Sequence, residues 1–218
     1  MLEILSEVIK IKSNDGVTFD IDSLSVEDIK VEDEYKGLRV KFLAFLGSAR
    51  ERIQLDIGVG DEVVPSPTNL SYPMLLDEET FDIIAYSLET VVAEKLEAMI
   101  TLSYLNSRMK DFYDIALIAD YQNFNGKFLQ QVIQATFQKR GIVLEDEVEI
   151  FSDEFKKDES KQIQWAAFLR KSDLSDAPEK FKDIVKNIED FLLIVLKSII
   201  SKDKFSQMWN SNTKKWVP

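Results

Sequence analysis

The sequence predicts an α+β fold, with a β-rich part over residues 1–88 and a helical domain over 89–218. Three observations lead there. Leu38, Val40, Phe42, Ala44 and Leu46 alternate with polar neighbours, and Ile53, Leu55 and Ile57 return on one face after a turn at Gly47-Ser48-Ala49-Arg50. From residue 89 the apolar residues change to helical spacing: Val92, Leu96, Met99 and Ser103, then Phe112, Ile115, Ala116 and Ala119. Between 178 and 200, Phe181, Ile184, Val185, Ile188, Phe191, Leu192 and Val195 make a wide apolar stripe, which is core by default.

Composition narrows the chemistry. The chain has 218 residues, 45% hydrophobic and 30% charged, which suits a soluble globular protein with a sizeable core. It contains no cysteine and no histidine. Disulfides, thiolate metal sites, imidazole bases and every Ser-His triad are thereby excluded. Catalysis must use carboxylates, lysine, tyrosine or hydroxyls, and any metal must be a hard cation such as Mg²⁺ held by oxygen. The net charge of −12 makes the whole chain a poor non-specific binder of nucleic acid, and no long basic patch is visible. The opening MLEILSEVIKIKS lacks a signal-peptide pattern. The most apolar run, FLLIVLKSII, is too short to span a bilayer, so a cytoplasmic protein with no membrane contact is expected.

Taken in order, residues 2–12 read as a strand or a short helix leading into one, and Asn14-Asp15-Gly16 as a turn. Asp20-Ile21-Asp22 has the Asp-x-Asp spacing that holds two metal ions when it lies on a strand. A turn with an N-cap is favoured there. Gly47-Ser48 leads into a hairpin turn and no paired aspartates follow it. Asp56 sits near the end of a strand, facing away from Leu55 and Ile57. It is either a water-facing edge residue, the start of the Gly58/Gly60 turn, or a functional carboxylate.

Residues 61–73, with three prolines, read as a loop or edge crossover; 74–76 and 81–85 read as short strands, the latter alternatively as a turn. A helix is expected over 125–139 on Phe128, Val132, Ile133 and Phe137, stopped by Gly141. EDEVEIFSDEF reads as an acidic loop with a short strand. ESKQIQWAAFLRKS reads as a helix with Ile163, Ala166, Ala167 and Leu169 inside. Asp176 is the expected cap of the last long helix, with Pro178 in its first turn. The tail after residue 202 reads as loose, apart from possible docking of Trp209 and Trp216.

The chemistry-bearing words lie in the helical pair at 89–115, which breaks at Asn106-Ser107, with Ser107 as expected N-cap. Lys95 sits beside the apolar stripe of the first helix, and Arg108, Asp111 and Asp114 share one side of the second. A structural ion-pair network at the helix junction accounts for the same residues without a ligand.

AEKLEAMI followed by NSRMKDFYDI, with YKGLRV at 35–40, IQLDIGVGD at 53–61 and LLDEETFDIIAYSLETVVAEKLEAM at 75–99, resembles the AbiEii/AbiGii toxin family of nucleotidyltransferase-like proteins over roughly residues 15–140. The resemblance makes the β-rich part a partial nucleotidyltransferase-like sheet, followed by a C-terminal helical bundle. It implies transfer of a nucleotide from an NTP to an RNA such as tRNA, with Mg²⁺ as cofactor and an antitoxin protein as partner. Asp56 would be the third carboxylate of the metal site and a catalytic residue together with Lys95 and Asp111. Lys95, Arg108 and Asp114 would bind the nucleotide, Arg108 and Asp111 would position it or brace Lys95, and Asp114 would orient Arg108 or Lys110. Asp56 and Lys95 would face one pocket. The family's Gly-Ser and Asp-x-Asp strands have no counterpart upstream of the matching words. A truncated member is therefore expected, or a non-catalytic remnant that serves as a nucleotide-binding or protein-interaction module, able to pair with itself through an open sheet edge.

Overall fold

The structure, a computed structural model, describes residues 2–12, 15–30, 36–59, 66–74 and 80–218. The chain divides into two compact units, Met1–Glu62 and Val63–Pro218.

The first unit opens with helix α1 (Leu2–Ile9), so most of the stretch at 2–12 is a helix where a strand was the first alternative. Leu5 and Ile9, four apart, fall on one helical face and pack on the sheet. Three antiparallel strands follow in the order β1 (Val17–Lys30), β2 (Lys36–Leu46) and β3 (Ala49–Val59). Val40, Phe42 and Ala44 are buried, and the register sets Ile57, Leu55 and Ile53 opposite Leu38, Val40 and Phe42 on that same face. Gly47 turns the hairpin at φ +58, a left-handed conformation that costs glycine little. The Asp20-Ile21-Asp22 triplet is a bulge inside β1 and not a helix cap. Pairing shifts between Asp20 and Ser25, and Asp20 Oδ1 accepts the Asp22 N–H at 3.0 Å. The extra residues are absorbed by Ser23, whose hydroxyl donates to Asp20 O and accepts the Leu43 N–H.

The second unit begins with a hairpin of β4 (Thr68–Pro73) and β5 (Thr80–Ala85). Part of the expected proline-rich loop is thus a strand, with Pro73 at its last position, where a missing N–H is tolerated. Of the strand expected at 74–76, residues 75–76 lie outside the described residues. Helix α2 (Leu88–Leu102) is capped by Ser87, whose hydroxyl accepts the Thr90 N–H. A 3-10 turn at Ser103–Leu105 leads to α3 (Met109–Tyr121). Strand β6 (Phe124–Asn125) runs into α4 (Gly126–Lys139), where Asn125 accepts the Phe128 N–H as cap. Val132, Ile133 and Phe137 are buried as expected, joined by Leu129, whereas Phe128 is exposed.

The acidic stretch expected as a loop with a strand forms a 3-10 turn (Glu149–Phe151) and the short helix α5 (Asp153–Lys156), capped by Ser152. Helix α6 (Glu159–Ser172) turns a different face inward from the one its alanines indicate. Lys161 and Trp165 are buried, whereas Ile163, Ala166 and Ala167 are exposed. Helix α7 (Phe181–Ile200) starts later than Asp176 would set it, because Gln162 Oε1 accepts the Phe181 N–H at 2.9 Å. All seven of its expected stripe residues are buried.

The tail is ordered. Strands β7 (Met208–Asn210) and β8 (Lys215–Val217) pair with each other, and β7 pairs with β6. Trp209 Nε1–H donates to Ala119 O at 2.7 Å and Trp216 Nε1–H donates to Phe191 O at 2.9 Å, so each indole buries its body and satisfies its one polar atom. The result is a mixed α+β structure with antiparallel sheets first and helices after. Among the described residues, no helix is long and apolar enough to cross a membrane.

Candidate functional site

Lys95 reaches across from α2 to α3. Its Nζ lies 2.6 Å from Asp111 Oδ1 and 2.8 Å from Asp114 Oδ2. The helices explain the meeting. Val92, Leu96 and Met99 seat α2 in the core, and Phe112 and Ile115 seat α3 there. Lys95, Asp111 and Asp114 each adjoin these stripes, so all three surface at the seam, with side chains 21%, 14% and 16% exposed. Burial alone would lower the Lys95 ammonium, but the two carboxylates outweigh it and hold it above the ordinary lysine value. Lys110 Nζ also reaches Asp114, at 2.6 Å. Asp114 therefore orients Lys110 and Lys95, and not Arg108.

Arg108, and not Ser107, occupies the N-cap position of α3, and no side chain caps that helix among the described residues. Asn106, fully buried, accepts the Arg108 N–H on Oδ1 at 2.8 Å. Its carbonyl and that of Tyr104 accept from Lys161 Nζ at 2.5 and 2.8 Å. Lys161 is 1% exposed and lies over the Phe155 ring, 5.9 Å from its centroid. Burial pushes this ammonium below the ordinary lysine value. The sequence reading missed Lys161. Its signal was the i, i+4 spacing to Trp165, which puts a lysine on the buried face of α6.

Beside this junction opens a groove of about 610 Å³ bordered by Arg108, Lys110, Asp111, Gln164, Phe168 and Lys171. Arg108 is exposed, and its guanidinium makes no ion pair with the described residues. Gln164 Oε1 is buried there without a partner. The groove thus offers three cations and one carboxylate, and that carboxylate is already engaged by Lys95.

Asp56 lies on β3 of the first unit, opposite Arg39. The guanidinium holds both carboxylate oxygens, at 2.8 Å each, and Gln54 Nε2 donates to Oδ1 at 3.3 Å. Hydrogen bonding by Arg39 keeps this carboxyl below its ordinary range. A divalent cation needs oxygens that face it free of a guanidinium. Both of Asp56's are taken, and among the described residues no three carboxylates converge into a metal-holding group. The donor set as arranged does not fit Mg²⁺.

The model of the family described as "Nucleotidyl transferase AbiEii toxin, Type IV TA system" matches residues 1–187. The chain belongs to the AbiEii family. The match runs past both ends of the 15–140 stretch legible from its motifs, taking in α1, α5, α6 and the first part of α7 of this AbiEii protein. Those segments carry apolar periodicity and few chemistry-bearing words, so they leave little for motif reading. Membership of a toxin–antitoxin family implies an antitoxin partner. A search of curated proteins and a search of solved structures each return no match.

Proposed function

We propose that this AbiEii protein transfers a nucleotide from a nucleoside triphosphate to RNA, with the helical junction as its nucleotide-phosphate site. The observation that supports this is the assembly of Lys95, Asp111 and Asp114 at one seam, next to the exposed Arg108 and the cationic groove. Nucleotidyl transfer moves charge on to pyrophosphate, and preformed cations lower that cost without any imidazole. In this reading Lys95 and Arg108 take phosphate charge. Asp111 and Asp114 hold Lys95 extended and charged until a triphosphate displaces them. Asp111 is the carboxylate that this reading assigns to the attacking hydroxyl.

Calorimetry with each of the four NTPs, with and without Mg²⁺, tests the reading. Binding in the micromolar range that Lys95→Ala abolishes and Lys182→Ala leaves unchanged is expected. Absence of heat with every NTP contradicts it.

A second reading has its own observation. Asp56 is locked by Arg39, and Lys95 is matched by two carboxylates, which is how a purely structural network looks. A non-catalytic remnant acting as a nucleotide-binding or protein-interaction module, including a homodimer, fits that arrangement. No nucleotide binding together with a stable dimer by light scattering selects it.

A further inference from the structure

The face of the β1–β3 sheet that points away from α1 carries an unused charge pattern. Side chains alternate along a strand, so the burial of Val40, Phe42 and Ala44 on the α1 side puts Arg39, Lys41, Leu43 and Phe45 on the other. The register sets Asp56, Gln54, Arg52 and Arg50 directly opposite these four. At one end the cations are matched: Arg39 by Asp56, and Lys41 by Glu27 at 2.9 Å. At the other end, by the Gly47 turn, Arg50 and Arg52 are exposed and make no ion pair with the described residues. Their cross-strand neighbours are Phe45 and Leu43, both half-buried, and across these on β1 stand Thr18 and Asp20, whose carboxylate accepts the Asp22 N–H.

Three of the six arginines of the chain (Arg39, Arg50, Arg52, with Arg108, Arg140 and Arg170 elsewhere) thus stand on two adjacent strands. In a chain of net charge −12 this segregation needs an explanation. Residues two apart on a strand are roughly 7 Å apart, comparable to the separation of successive phosphates in an extended single strand. Guanidinium forks bind phosphate oxygens in pairs, and an adjacent aromatic and leucine give ground for bases and riboses.

We propose that this sheet face binds the RNA backbone, with Arg50 and Arg52 gripping phosphates beside Phe45. The inference rests on the RNA-acceptor reading and adds the surface on which that RNA lies. An acidic protein is the weaker occupant, because arginine paired with an aromatic favours a ligand that has both charge and flat apolar faces.

The test is fluorescence anisotropy on the full chain, with a fluorescein-labelled RNA hairpin bearing a single-stranded 3′ tail, between about 50 and about 200 mM salt. Arg50→Ala/Arg52→Ala is expected to weaken binding about tenfold at the lower salt. It should also flatten the slope of log affinity against log salt by roughly 1.4, two contacts at about 0.7 each. Lys127→Ala/Lys182→Ala serves as control and leaves both unchanged. Both arginines are exposed, so far-UV circular dichroism of the double variant should match wild type. Three results overturn the proposal: no RNA binding by wild type at the lower salt, an unchanged slope in the double variant, or displacement of the RNA by polyglutamate at lower charge equivalents than by unlabelled RNA. The NTP titration of the double variant stays at wild-type values, so a failure on the sheet is distinct from a failure at Lys95.

Discussion

Lys161 donates to two carbonyls from a site 1% exposed, and among the described residues no carboxylate forms an ion pair with it. A bare ammonium in such a place is costly, so the turn at Tyr104–Asn106 must need it. Lys161→Ala leaves both carbonyls unmatched and opens a cavity over Phe155. A loss of about 3 kcal/mol in denaturant unfolding is expected. Glu189 shows the opposite balance. Burial would raise its carboxyl, but Lys156 and Lys186 outweigh that and hold it below its ordinary value. A depressed carboxyl stabilises the fold above its unfolded pKa and loses that contribution as pH falls through its folded value. Glu189→Gln should therefore flatten the acid limb of a stability-versus-pH curve below the ordinary glutamate value of 4.5. Lys95, raised by its two carboxylates, contributes at the other end. Its share is present up to the unfolded lysine value and is lost as pH rises through the higher folded one.

At the scale of elements, the legible ones were those whose periodicity is decided locally. The β2–β3 hairpin alternates cleanly and the α7 stripe is wide, and both stand where their residues indicate. Three others were set by residues far along the chain. The inward face of α6 follows Trp165, whose Nε1–H donates to Pro178 O, while its alanines face out. The start of α7 follows Gln162 and not Asp176. The tail is pinned because two indoles find carbonyls on α3 and α7. A tertiary partner overrode local preference each time. Gly126 marks the same seam. A Cβ there would meet Gln207 O at 2.5 Å and Phe205 at 2.6 Å. Gly126→Ala should cost about 2 kcal/mol and release the β7–β8 hairpin first, visible as loss of indole near-UV signal before helical signal. Asn106→Ala removes the hydrogen bond to the Arg108 N–H just before α3 and should cost about 1 kcal/mol.

For the whole molecule, the two units differ in how much core they own. The first buries Ile9, Val40 and Phe42 in its cluster, whereas the second buries long stretches of α2, α3, α4 and α7 together. Hydrogen exchange should accordingly show β1–β3 amides opening at lower free energy than those of α7. The site was half legible at this scale. The meeting of Lys95 with Asp111 and Asp114 follows from helical spacing, because each adjoins an apolar stripe that fixes its direction. The Arg39 fork on Asp56 depended on strand register, which a period-2 pattern does not fix by itself. The most direct measurement of the central claim is transfer of label from α-³²P-NTP to RNA by the full chain. Incorporation that Lys95→Ala abolishes is expected; no incorporation from any of the four nucleotides, or equal incorporation by the variant, would contradict it.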